Sequence, residues 1–251
     1  MPMKPSRVTL DAGREEALDV GKMNALTLFL LEEAPAYNDW IFRKIRPFLG
    51  EDILEVGCGI GNLTGLLLSQ GRVIAADVQE GYLRLVESKF RSHVNLQSLL
   101  LWDIQKASPQ ELNTAIDTIV CSNVLEHVEE DDPVLQNFYQ LLPKGGKVIV
   151  LVPAFKALYN VLDKELGHFR RYGKKELRQK LIRHGFHLRQ INFFNPLGVM
   201  GWFINGSLLR RRLLPVWQVK VFNKIIPFYI RMEKIIPPLW GQSLIAVGEK
   251  T

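Results

Sequence analysis

At 251 residues and 47% apolar composition, the chain is long enough to bury one full α/β core and a sizeable further segment. Its two cysteines, Cys58 and Cys121, exclude a disulfide framework and a cysteine-built metal cluster, which fits a reducing, cytoplasmic setting. The net charge of +6 hides an asymmetry, −7 over residues 1–150 and +13 over residues 151–251, and a bias this one-sided points to an acidic partner or surface.

Taken in order, the first 50 residues show helical spacing over Asn24–Glu33 and a second helix from Tyr37 to about Pro47. Arg14, Glu15, Glu16 and Asp19 break up any apolar leader. A strand, Asp52–Val56, then runs into Gly57, Gly59 and Gly61, with a helical segment, Leu63–Ser69, directly behind. Glycine lets the backbone turn sharply and lets a ligand lie on bare main chain, while a helix start offers unpaired N–H groups. Such a turn suits a nucleotide-like cofactor. A dinucleotide site would put its third glycine three residues after the second, where Asn62 stands. Arg72–Asp77 reads as a short buried strand ending in an acid. That carboxylate either accepts hydrogen bonds from both hydroxyls of a ribose or caps the next helix.

A third strand, Val94–Leu101, closes on Trp102-Asp103-Ile104, and a fourth, Ala115–Ser122, enters Asn123-Val124-Leu125-Glu126-His127-Val128. A helix through Leu142 follows, and the turn Leu141-Leu142-Pro143-Lys144-Gly145-Gly146 leads into a fifth strand, Lys147–Val152. The Glu55-x-Gly-x-Gly-x-Gly turn, Asp77, the Leu-Glu-His stretch and this last turn cover about Gly50 to Pro153. In that order they resemble the class I S-adenosylmethionine (SAM)-dependent methyltransferases. The Leu125-Glu126-His127 segment is similar to that of the ubiquinone and menaquinone enzymes.

The resemblance implies a Rossmann-like α/β fold, a seven-stranded methyltransferase sheet whose last strand is antiparallel, with helices on both faces and a helical cap. It implies S-adenosyl-L-methionine as cofactor and S-adenosyl-L-homocysteine as product. The cofactor turn would be Glu55, Gly57, Cys58, Gly59 and Gly61, with Asp77 on the ribose and Val78 over one face of the adenine. Asp103 and Ile104 would hold the adenine, and Asn123 would complete the cofactor site; no metal is expected. N-terminal helices commonly lie over the cofactor in this fold, so Tyr37 and Trp40 either touch it or pack on the sheet.

Further on, Lys174–His184 is an amphipathic helix with apolar Leu177, Leu181 and Ile182, ended by Gly185 as C-cap. Phe186–Phe194 and Ser243–Val247 read as the sixth and seventh strands. Between them lies a long insertion, Asn195–Gln242, far beyond a hairpin loop. It interleaves seven large aromatics with Arg210–Arg212, Lys220, Lys224, Arg231 and Lys234, and prolines 215, 227, 237 and 238 are expected to chop it into short helices. No RNA-binding motif accompanies it, so no nucleic acid partner is expected. Asn192, Asn195, Pro196 and Asn205 argue against a membrane span over Ile191–Leu209. A lid over a bulky substrate is the leading reading, and peripheral contact with the inner membrane face the next. The expected division is 1–49 helical cap, 50–194 SAM-binding core, 195–242 lid and 243–251 final strand.

Methyl transfer needs a nucleophile held in line with the departing sulfur, and a base where a hydroxyl must lose its proton. His127, at the C-terminal edge of the sheet, is a base or else a packing residue, and Glu126 reads as structural. His168, Arg171 and Tyr172, from Leu166-Gly167-His168-Phe169-Arg170-Arg171-Tyr172, offer a base, an anion binder and a phenol, unless the run is only a solvated basic surface. Arg210–Arg212 or Arg170-Arg171 would anchor an acidic group. The expected activity is methylation at O or C of a small or lipid-like, anionic molecule. The alternatives are a saccharide or lipid-linked saccharide as acceptor, or a non-catalytic SAM-binding protein.

Overall fold

Short apolar runs buried on both faces are the mark of parallel strands covered by helices. A computed structural model of the chain describes residues 22–106, 112, 116–233, 235 and 238–251. Four such runs, β1 (Asp52–Val56), β2 (Arg72–Asp77), β4 (Thr118–Ser122) and β5 (Lys147–Pro153), pair in parallel, and β3 (Leu96–Leu101), with no buried residue, extends them at the sheet edge. Then come β6 (Phe186–Phe194) and β7 (Ser243–Lys250), and β7 pairs antiparallel with both β5 and β6. The sheet order is β3-β2-β1-β4-β5-β7-β6. The chain therefore reverses its winding between β1 and β4, and in such sheets the crevice beyond the carboxyl ends of those strands binds ligands.

Alternate residues of each strand feed opposite layers. Leu54, Ile119 and Val148 pack beneath α5 (Asp131–Leu141) and α7 (Lys174–Arg183) through Phe138, Leu177 and Leu181. Ile53, Val120 and Ile149 pack on the other face with Trp40, Leu67, Val86 and Ile226. Those residues come from α2 (Pro35–Ile45), α3 (Thr64–Leu68), α4 (Glu80–Phe90) and α9 (Val216–Glu233). Ahead of α2 lies α1 (Lys22–Glu32), tied to the glycine turn by the Asn62 amide donating to the Leu28 carbonyl at 2.9 Å. Between β5 and β6 sits α6 (Val161–Glu165), and α8 (Pro196–Trp202) follows β6, continuing as a π-helical turn over Phe203–Leu208.

The structure differs from the sequence reading at several boundaries. Val94 is 88% exposed and precedes β3. Strand β4 starts at Thr118, and Ala115 lies outside the described residues. Strand β7 runs on to Lys250, and Ile182 faces solvent while Leu177 and Leu181 are buried. Pro227 does not cut the insertion as expected: α9, which starts directly after Pro215, runs 18 residues with Pro227 inside it. Pro227 lies on the exposed face, where the carbonyl that lost its helical partner can turn to water, while buried Ile226 keeps the helix docked. Arg14, Glu15, Glu16, Asp19 and Pro237 lie outside the described residues.

Candidate active site

The turn after β1 is shaped by positive φ angles at Gly57 (+73°), Gly59 (+52°) and Gly61 (+88°). A Cβ on Gly57 would stand 2.2 Å from a Val124 methyl, so this position admits no side chain. A Cβ on Gly61 would instead meet the Phe90 ring at 2.9 Å, and Gly61 does not line the main cavity. Gly61 thus packs the turn against α4 and stands apart from the cavity wall that the other expected cofactor residues form. Asp77 locks the turn: its Oδ2 accepts from the Gly59 N–H and its Oδ1 from the Gln79 N–H, both at 2.9 Å. Each oxygen keeps a further lone pair for a ligand hydroxyl. Burial pushes this carboxyl up, against the pull of the Gln79, Gly59 and Val78 N–H groups. Glu55, also buried, accepts from the Thr64 hydroxyl at 2.6 Å, and burial raises its pKa to about 8.

A cavity of about 560 Å³ opens over the crevice between β1 and β4. Of the residues expected at the cofactor, all but Gly61 line it: Glu55, Gly57, Cys58, Gly59, Asp77, Val78, Asp103, Ile104 and Asn123. Leu28 of α1 and Tyr37 of α2 close it from the N-terminal side, whereas Trp40 is wholly buried and donates to Glu233 at 2.9 Å. Residues of 195–242 wall the far side, Trp202, Val219 and Phe222 among them. A carboxylate with spare lone pairs, a turn whose Gly57 and Gly59 bare their main chain, and apolar Ile104 on the same wall fit an adenosyl cofactor.

On the wall of the same cavity, His127, His168 and Arg171 come together. The two imidazoles meet edge to face, with centroids 4.7 Å apart. Burial first, then the His168 ring, depresses the His127 pKa to about 4, against a hydrogen bond with the Leu166 backbone. His168 Nδ1 lies 2.9 Å from Asp163 Oδ1, and the same oxygen accepts from Arg171 Nε at 2.8 Å. Asp163 Oδ2 accepts from the Trp202 indole at 3.2 Å and the Asn160 N–H at 3.0 Å. Burial pushes the Asp163 carboxyl up, but the His168 bond and the Arg171 charge hold it below the ordinary range. Arg171 lies against the Trp202 ring, its guanidinium carbon 4.9 Å from the centroid, and keeps one Nη2 with no partner.

Tyr172 is not part of this cluster. It is fully buried, its hydroxyl 2.7 Å from Asp131 Oδ2 and 3.2 Å from the Leu125 carbonyl, and burial with the Asp131 bond keeps the phenol protonated. Arg170 also turns away, to Asp131 and the Glu129 carbonyl. Arg210–Arg212 do not line the cavity, and Arg212 pairs with Glu165 at 3.3 Å.

Glu126 corrects the sequence reading most. It lines the cavity, is 1% exposed, and neither carboxylate oxygen has a hydrogen-bond partner on any other described residue. Burial raises its pKa to about 8, against its own backbone N–H and the Arg171 charge. One ligating atom each from Glu126, His127 and His168 lie within 4.8 Å of one another, so all three can address one polar ligand atom or a cation. Asp163 escaped the sequence reading as well. Its only local signal is Asn160-x-x-Asp163, a capping box that starts α6.

Comparison with known proteins agrees with this geometry. Residues 54–148 match the methyltransferase-domain family. Nodulation protein S of Azorhizobium caulinodans is 32% identical over 147 residues, 56% of this chain and 65% of that protein. The ubiquinone biosynthesis O-methyltransferase of Pseudomonas fluorescens is 26% identical over 116 residues, 45% of this chain and 49% of that enzyme. The chain thus spans about half to two thirds of the length of these curated relatives. A solved SAM-dependent methyltransferase from Mesorhizobium loti superposes with a TM-score of 0.57 at 17% identity, covering 85% of this chain and 98% of that one, a likeness of fold. The glycine turn, the sheet order and the match over residues 54–148 support a class I SAM-dependent methyltransferase domain, with SAM as its cofactor.

Proposed function

We propose that the chain transfers the methyl group of SAM to a hydroxyl oxygen of a small, partly apolar molecule, with Glu126 as the base. The observation that carries this reading is a buried carboxylate without partners in the same cavity as the glycine turn and Asp77. SAM, when bound, supplies an electrophilic methyl group; the residues of the chain hold the acceptor and take its proton. A base works best when its pKa lies near the operating pH, which favours Glu126 at about 8 over His127 at about 4. Neutral His127 would orient the acceptor hydroxyl together with His168, whose ring is held by Asp163. The spare N–H of Arg171 would receive a polar or anionic group of the substrate. Trp202, Val219 and Phe222 form an apolar wall suited to a lipid-like body, so residues 195–242 would act as the lid.

A saccharide or lipid-linked saccharide is the second reading, favoured by the absence of any Asp or Glu between Glu176 and Glu233, which would suit a phosphate-bearing acceptor. The test is incubation with methyl-labelled SAM and extracts of the source cells, followed by mass spectrometry. A labelled product that carries its methyl on oxygen, made by the wild type and not by Glu126→Gln, is the expected result. Transfer that survives Glu126→Gln undiminished would remove Glu126 from the chemistry, and a labelled sugar would favour the second reading.

A further inference from the structure

We infer that the outward face of α9 is an in-plane anchor for an anionic lipid bilayer. One side of this helix is firmly docked: Val219 and Ile226 are buried, Tyr229 meets Trp40 edge-on at 5.4 Å, and Glu233 binds both Trp40 and Lys44. The opposite side is set by that docking. Trp217, Val221, Ile225, Phe228 and Met232 recur at helical spacing, and each is 45–65% exposed. A helix that presents its best apolar residues to water at that spacing has an unfilled contact, because isolated exposed apolar residues are ordinary but a continuous stripe is not.

Charge decides what fills it. Lys220, Lys224 and Arg231 lie alongside the stripe, and the only acid in α9 is Glu233, which is buried and already paired. Lys220 makes one exposed contact, 3.5 Å from Glu33. Apolar and aromatic residues bordered by cations on one helix face suit the boundary between headgroups and acyl chains of an anionic membrane. The helix would lie on the bilayer, not cross it, since no described helix is long and apolar enough to span. Val219 and Phe222, on the side of α9 away from the stripe, line the cavity, so a lipid-borne molecule would meet the site at the surface that holds it.

The inference does not rest on methyl transfer, and its test reads binding alone. The full chain is sedimented with vesicles of phosphatidylcholine and with vesicles containing phosphatidylglycerol. Binding to the second and not the first is expected, weakening as salt shortens the screening length from about 10 Å at 0.1 M. Replacing Lys220, Lys224 and Arg231 by Gln should weaken it on the order of a hundredfold, from about 1 kcal/mol per cation. Trp217→Glu with Phe228→Glu should abolish it, while thermal melting and S-adenosylhomocysteine binding stay unchanged, because neither residue lines the cavity. No binding to anionic vesicles, or binding indifferent to both sets of changes, would overturn the inference. So would self-association in gel filtration that the Trp217/Phe228 pair removes, which would assign the stripe to a second copy of the chain.

Discussion

Burial sets the chemistry of single residues here. Glu126 and Glu55 are both raised to about 8, and in both cases desolvation is the largest cause. If Glu126 is the base, only its ionised form works, so kcat/KM should climb as pH rises from about 6 to 9. Glu126→Gln should erase that limb and cut turnover by about 10²–10⁴-fold. A limb ending near pH 4–5 would make His127 the base instead. Glu55 carries a stability consequence of defined sign. Its folded pKa lies above its unfolded value, so its contribution is complete below about pH 4.3 and is lost as pH rises through about 8. The melting temperature of the ligand-free chain should therefore fall between about pH 5 and 8, and less steeply in Glu55→Gln. Asp77→Ala should weaken S-adenosylhomocysteine binding by about 1.5–3 kcal/mol in calorimetry, the worth of hydrogen bonds to a charged group.

At the level of elements, local and distant information separate cleanly. The turn after β1 was legible because its spacing and its glycine conformations are properties of eight consecutive residues. Spacing does not say which way each glycine faces, and Gly61, expected at the cofactor, meets Phe90 on its own side of the turn. Glu126 looked structural because its neighbours in the chain give no hint of an open cavity. Its surroundings come from Asp163, His168, Arg171 and Trp202, and Trp202 reaches Asp163 across 39 positions. Tyr172 was misread for a related reason: it belongs to the same short segment as His168 and Arg171 but points into the layer beneath α5 and α7. Tyr172→Phe should accordingly cost about 1 kcal/mol of stability for its lost hydrogen bond and leave kcat unchanged. A large fall in kcat at unchanged stability would return Tyr172 to the reacting site.

Across the whole molecule, the winding of the sheet does the positioning. Because the order turns back between β1 and β4, the glycine turn and the Asn123–Val128 segment open on one crevice. The insertion after β6 returns over that crevice, bringing the cation-rich half of the chain to its far wall. Ligand binding to the folded state alone raises stability, by about 2.7 kcal/mol at a hundredfold excess over Kd. S-adenosylhomocysteine should produce such a shift in melting and NAD should not. The most direct measurement is a crystal structure of the S-adenosylhomocysteine complex. The expected result is ribose hydroxyls on Asp77 and a sulfur that faces Glu126, His127 and His168 across the cavity. A sulfur directed away from all three, with Glu126 still unpartnered, would contradict it.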